Sequence, residues 1–407
     1  MLDLRAHLRP AVSHRDSNRK RIILAIMIKP DTQAGIARRT ILSQATVSTA
    51  VRDLEKDGIV RMERNSAAQG KGGRGVRVCL QGAVNVAVGV DLGFNHVTVI
   101  ARRVDEQYDR VKVQQSTDGA NRGLAHVIPL VKGMIEEAVA ETGRTSDDII
   151  SVGIAVPRMI DPRSGTFAAP VLPPWSGEGG DPAIELARAL GVRVVMDNDA
   201  NLGALAEQTY GGSDHLETVV YVKASTGIGS GLIVGGNLLR GRSGIAGELG
   251  HLTMDPHGVI CQCGGRGCLE TIIGAEYLID QVRKSQLGNS ADLPGSLAAL
   301  IAKAHANDAV CVRALQDAGR LLGRALAQLC NLFNPDVIVL GGQLAAAKDL
   351  VLKPCREALE RFALSGAVDP STDFELRLSN LKQRAEALGA LVLGLSSILS
   401  DEEIEKS

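Results

Sequence analysis

The chain has 407 residues, enough for two or three domains, and its 45% apolar content gives each a core. The net charge of -1 conceals an asymmetry: residues 1–80 carry 16 Lys and Arg against 7 Asp and Glu, and the remainder carries 29 against 39. A basic head on an acidic body is the split expected when one domain meets a polyanion and the other does not.

The apolar run Ile22 to Ile28 is too short and too closely flanked by Lys and Arg to span a membrane, and nothing resembles a signal peptide, so a cytoplasmic protein with no membrane partner is expected. In that setting seven cysteines argue against a disulfide framework, and a close cluster of them reads first as a metal site. At 2%, aromatic residues are too few for a carbohydrate-binding module built on ring stacking.

In chain order, Arg19 to Ile28 reads as a first helix, with Ile22, Ile23, Ile26 and Met27 on one face and Pro30 as its stop. Thr32 is placed to cap a second helix from Gln33 to Arg39. A turn through Thr40, Ile41 and Leu42 follows, and Ser43 is placed to cap a third helix reaching about Lys56, ended by Gly58. Val47, Val51 and Leu54 give the third helix a buried face. Gln44, Thr46, Ser48, Thr49 and Arg52 are left outward, as in a helix-turn-helix whose second helix enters the major groove. Ile59 to Glu63 and Val76 to Leu80 read as two strands of a wing. The Gly-rich basic stretch between them, with Lys71 and Arg74, and Arg77 on the second strand, is suited to phosphates or a narrow minor groove.

The body opens with an apolar strand, Val84 to Asp91, leading through Gly93 to a returning strand, Thr98 to Val104. A like unit recurs: Thr218 to Lys223, then a turn containing Thr226, Gly227 and Gly229, then Leu232 to Gly235. Two such units point to two lobes of one topology, the arrangement of actin-like sugar kinases, in which glycines let backbone N–H groups approach phosphate. Val194 to Asp197 reads as a strand that ends in Asn198, Asp199, Ala200 and Asn201 before a helix from Leu202 to Tyr210. Polar residues at such a junction line ligand crevices, although turn formation and helix capping account for them too. His251, Cys261, Cys263 and Cys268 follow in the order H-x9-C-x-C-x4-C within a Gly-rich loop, which is the donor set of a closed structural Zn2+ site.

The phrase around Glu248 and His251, the run from Cys261 to Glu270, the run Asn198 to Asn201, and Asn334 to Gly342 together resemble the signature of the ROK family (repressors, open reading frames, kinases) over about residues 84–400. The basic head is similar to the winged domain that begins the regulators of that family. The resemblance implies an α/β chain. A winged helix-turn-helix (1–80) would precede a two-lobed, actin-like (ribonuclease H-like) sugar-kinase-type domain (81–407). Lobe I would span about 84–200 plus a C-terminal helix at about 383–400, and lobe II about 201–382 with its zinc loop at 251–268.

The resemblance also implies that Asn198, Asp199, Glu248, His251 and Glu270 hold sugar hydroxyls, His251 giving one ring nitrogen to the metal and the other to the sugar. In the family's kinases the residue matching Asp199 is the general base, and turns matching Asp91, Gly93, Thr226, Gly227, Gly229, Gly341 and Gly342 hold ATP. Here Gly93-Phe94-Asn95-His96 stands where the kinases have a Gly-Gly-Thr type turn, so Phe94 occupies a position where a phosphate approaches the backbone, and ATP is not expected as a cofactor. Arg158 departs as well, replacing the usual glycine after Pro157.

The expectation is therefore a sugar-sensing regulator, a repressor by resemblance, with a palindromic double-stranded DNA operator, a sugar or sugar-phosphate ligand and a homodimeric or homotetrameric state. The alternative is an ATP-dependent sugar kinase using Asp199. The stretch from Arg384 to Leu399 reads as an amphipathic helix packing on lobe I, followed by a solvated acidic tail.

Overall fold

Caps and apolar spacing in the head produce the elements they predict. The computed structural model describes residues 2–10, 13–64, 76–169, 175, 180–213, 215–285, 293–369, 371 and 373–404, side chains being described to 399. Three helices, α1 (His14–Ile28), α2 (Gln33–Thr40) and α3 (Gln44–Lys56), precede the antiparallel pair β1 (Val60–Arg64) and β2 (Val76–Leu80). Thr32 and Ser43 cap α2 and α3 through their hydroxyls, and Val47, Val51 and Leu54 are the buried face of α3. Burying each is worth about 2 kcal/mol. Helix α1 begins five residues before the position that its apolar pattern marks, because Ser13 accepts the Asp16 N–H and starts a polar first turn. Lys71 and Arg74 lie outside the described residues.

Two compact units divide the chain, Met1–Val156 with Val171–Asp197 and Ala390–Ser407, and Pro157–Pro170 with Asn198–Gly389. The first unit therefore holds both the head and a five-stranded sheet in the order β5-β4-β3-β6-β7: β3 (Val86–Leu92), β4 (Val97–Arg103), β5 (Lys112–Ser116), β6 (Ile149–Val156) and β7 (Val194–Asn198), the last residue of which falls to the second unit. It also contains α4 (Leu124–Ala140) and α5 (Pro182–Leu190).

Head and sheet are joined by buried polar bonds. Arg102 on β4 is fully buried, and its guanidinium donates to the carbonyls of Met27 and Ile28 at the end of α1. Those carbonyls have no partner within the helix, so a buried cation from the sheet satisfies them and complements the helix dipole. The N-terminal segment adds Leu4 N–H to Asn85 Oδ1 at 2.7 Å and the Arg5 guanidinium to the Ile149 carbonyl at 2.9 Å.

The second unit repeats the strand order as β10-β9-β8-β11-β12: β8 (Val219–Ala224), β9 (Ile228–Val234), β10 (Asn237–Leu238), β11 (Val337–Gly341) and β12 (Glu375–Leu378). Its helices are α6 (Asp199–Tyr210), α7 (Glu270–Ile273), α8 (Ala275–Ser285), α9 (Leu297–His305), α10 (Ala309–Phe333) and α11 (Asp349–Phe362). Its core gathers Val220, Val222, Leu315, Leu322, Ile338 and Leu340. Helix α12 (Ala385–Ile404) belongs to the second unit as far as Gly389 and to the first from Ala390, where Ala390 and Gly394 meet Gly153 of β6. It stays helical through Asp401, Glu402 and Glu403, where the sequence reading placed a tail. Among the described residues, no helix is long and apolar enough to cross a membrane.

Candidate functional site

On α3, Gln44, Thr49 and Arg52 are exposed, while Thr46 and Ser48 are half-buried and the Thr46 hydroxyl bonds the Ser43 hydroxyl at 2.8 Å. Arg77, on β2 opposite Glu63, is half-buried. The head thus offers one polar helix face from a capped element.

Within the second unit, α6 starts at Asp199, three residues before the position read from sequence. Asn198 caps it, its side-chain oxygen accepting the N–H groups of Ala200 (2.9 Å) and Asn201 (3.1 Å), while its Nδ2 donates to the Arg158 carbonyl at 3.3 Å. Asp199 is buried. Its Oδ2 accepts from the Lys223 ammonium at 2.8 Å and its Oδ1 from the Ala200 N–H. Lys223 also lies 3.9 Å from Glu386, which accepts the Tyr221 hydroxyl at 2.8 Å.

Around Asp199 stand two further carboxylates and a cation. Burial above all, then the charges of Asp199 and Glu270, push Glu248 up to about 7, against an opposing pull from Arg158. Burial lowers the Arg158 guanidinium from its ordinary value, opposed by Asp199, Glu270 and Glu248 in turn. Glu270, the first residue of α7, accepts the Ile228 N–H at 2.9 Å and the Gln262 amide at 3.3 Å.

His251 links this group to the cysteine loop. Its Nε2 faces Glu248 at 3.7 Å and its Nδ1 faces the Cys261 sulfur at 3.6 Å. Cys263 and Cys268 sulfurs are 3.7 Å apart, and all four ligand atoms lie within 4.8 Å of one another. A tetrahedral ion bonded at about 2.3 Å to sulfur and about 2.0 Å to nitrogen needs ligand-to-ligand edges of roughly 3.5–3.8 Å, and the His251–Cys261 and Cys263–Cys268 separations fall in that range. Burial, then the neighbouring sulfurs, push the Cys268 thiol up to about 12, and burial raises Cys261, whereas at Cys263 burial is outweighed by hydrogen bonds from the Gly265 N–H and the other thiols, which lower it.

Each glycine turn is filled by the protein itself. In the first, His96 Nε2 sits 2.9 Å from Asp91 Oδ2 and its ring lies over Gly93, where a Cβ would come within 2.0 Å of it. Phe94 is about one-third exposed. In the second, a Cβ on Gly227 would lie 2.6 Å from Glu270 Oε2, and Gly229 packs on Ala200. Gly341 makes room for the Tyr221 ring. Gly342, at φ +76°, lies against the Ala224 carbonyl and the Ser225 hydroxyl, and the latter accepts the Gln343 N–H. Thr226 lies in the turn between β8 and β9, its carbonyl near Gly274.

Sequence reasoning did not single out Lys223, although a lone charge in the apolar strand Val219–Ala224 is a readable signal. Arg158 was marked only as a departure. The Arg102 bonds depend on tertiary structure, and no local pattern announces them, while the His96 contact with Asp91 is local and went unread.

Residues 87–396 match the ROK family, and residues 16–69 match the MarR family. The chain belongs to the ROK family, joined here to an N-terminal winged helix. It is 28% identical to the xylose repressor of Caldicellulosiruptor bescii, over 90% of this chain and 92% of that one. It is 30% identical to the glucokinase of Halalkalibacterium halodurans, over 74% of this chain and 92% of the enzyme. The same fold occurs in the crystal structure of a ROK family transcriptional regulator described as a homolog of the E. coli Mlc protein, with a TM-score of 0.72 and 23% identity, covering 96% of this chain and 99% of that one.

Proposed function

We propose that the protein is a DNA-binding repressor of carbohydrate genes whose operator affinity is set by a sugar held among Asp199, Glu248, Glu270 and His251, with Zn2+ on His251, Cys261, Cys263 and Cys268. The observation that carries this reading is the presence of both parts in one chain, a basic winged helix exposing Gln44, Thr49 and Arg52 and a cluster of carboxylates with an imidazole suited to a polyol. The alignment with a xylose repressor over nine-tenths of the chain supports it. Asn198 acts as the cap that aims Asp199, its Oδ1 being occupied by two backbone donors. The zinc would fix the His251 ring and leave its Nε2 side toward the sugar. Two protomers on a palindromic operator would supply the specificity that one short helix lacks.

A kinase reading retains one observation in its favour, Asp199 at the start of α6. Against it, a proton taken up by Asp199 would deprive the buried Lys223 ammonium of its nearest counter-charge, 2.8 Å away. In addition, His96 fills the first turn. Calorimetry with xylose, glucose and N-acetylglucosamine, beside an ATP-consumption assay, separates the two. The expected result is binding of one sugar, weakened at least about ten-fold by Asp199→Asn, with no ATP consumed. Sugar-dependent ATP consumption abolished by Asp199→Asn would establish the kinase instead.

A further inference from the structure

The turn before the recognition helix is built from a residue that the turn disfavours. Ile41 ends α2 in the left-handed conformation, φ 54° and ψ 37°. Its N–H bonds the Arg38 carbonyl at 3.3 Å, and the Leu42 N–H bonds the Ala37 carbonyl at 3.2 Å, the bond pair of a Schellman cap. Glycine ordinarily fills that position because a Cβ crowds the carbonyl oxygen, and branching at Cβ worsens the crowding. Among the described non-glycine residues with positive φ, Ile41 alone is β-branched.

Among the described residues the side chain finds little packing in return. Ile41 is 88% exposed, more than any other large apolar residue described. Strain together with full exposure, at a residue two positions before the Ser43 cap and three before Gln44, calls for a use outside the folded chain. The N-terminal end of a recognition helix is the part that meets base edges, and the apolar feature of the major groove is the C5-methyl of thymine.

We propose that Ile41 is a sequence-reading residue that packs on a thymine methyl in the operator. The proposal rests on the repressor reading and adds an apolar contact from the turn to those that the side chains of α3 can make. It requires opposite effects on folding and binding from one substitution, since Ile41→Gly relieves the strained backbone while removing the contact.

The test uses the full-length protein and a duplex that it selects from a randomised library. Each thymine is replaced singly by uracil, which removes only the methyl group. At one thymine position the replacement should weaken the parent protein about five-fold and leave Ile41→Gly and Ile41→Ala unaffected. Ile41→Gly should also bind the unmodified duplex about five-fold more weakly while melting at a higher temperature. Equal uracil sensitivity in parent and variants, or a general loss of affinity that no uracil reproduces, would overturn the role of Ile41 alone. Failure to select any duplex would overturn the repressor reading and this proposal with it.

Discussion

The two sheets share a strand order, yet the turns that follow β3 and β8 are put to different uses. After β3 the turn is self-contained: His96 returns over Gly93 to Asp91 within five residues. After β8 the space over Gly227 is taken by Glu270, a residue two positions beyond Cys268, which also holds the Ile228 N–H. One turn is closed on itself, and the other is tied to the cysteine loop and to the carboxylate cluster. Shared topology therefore does not set a turn's role; the side chain lying over its glycine does.

If the second turn depends on the cysteine loop, disrupting that loop should have the largest effect. Cys263→Ser with Cys268→Ser should abolish bound zinc, lower Tm by on the order of 10 °C and weaken sugar binding, as read by metal analysis, calorimetry and melting. Unchanged metal content and sugar affinity would remove the link. A smaller effect is expected for Gly227→Ala, whose Cβ must displace the Glu270 carboxylate from the Ile228 N–H. A loss of about 1–2 kcal/mol in denaturant melts, with weaker sugar binding, is the expected outcome. Gly93→Ala should cost about 1 kcal/mol, because its Cβ displaces the partly exposed His96 imidazole from the buried Asp91 carboxylate, and should leave sugar binding intact. Equal losses in the two alanine variants would erase the contrast between the turns.

What the sequence discloses is what local chemistry determines. Thr32, Ser43 and the spacing of Val47, Val51 and Leu54 announce the head, since a cap and a buried stripe act within a few residues. The clustering of His251, Cys261, Cys263 and Cys268 is legible for the same reason, the four lying within eighteen residues. Helix starts were displaced where a polar cap, Ser13 or Asn198, begins a turn ahead of the apolar pattern. Partners distant in sequence were not legible: Arg102 meets α1 across 74 residues, and Lys223 meets Asp199 across 24. Because each is a buried charge satisfied only in the folded state, its role depends on tertiary placement rather than on its neighbours in the chain.

The central claim is that a sugar in the second unit governs a DNA-binding head in the first. It is tested most directly by titrating the full-length protein onto its selected duplex at fixed salt, with and without the sugar found by calorimetry. The account predicts that operator affinity changes at least about ten-fold with sugar, and that Asp199→Asn binds the duplex as tightly as the parent but no longer responds. Operator binding identical with and without a sugar that demonstrably occupies the site would contradict it.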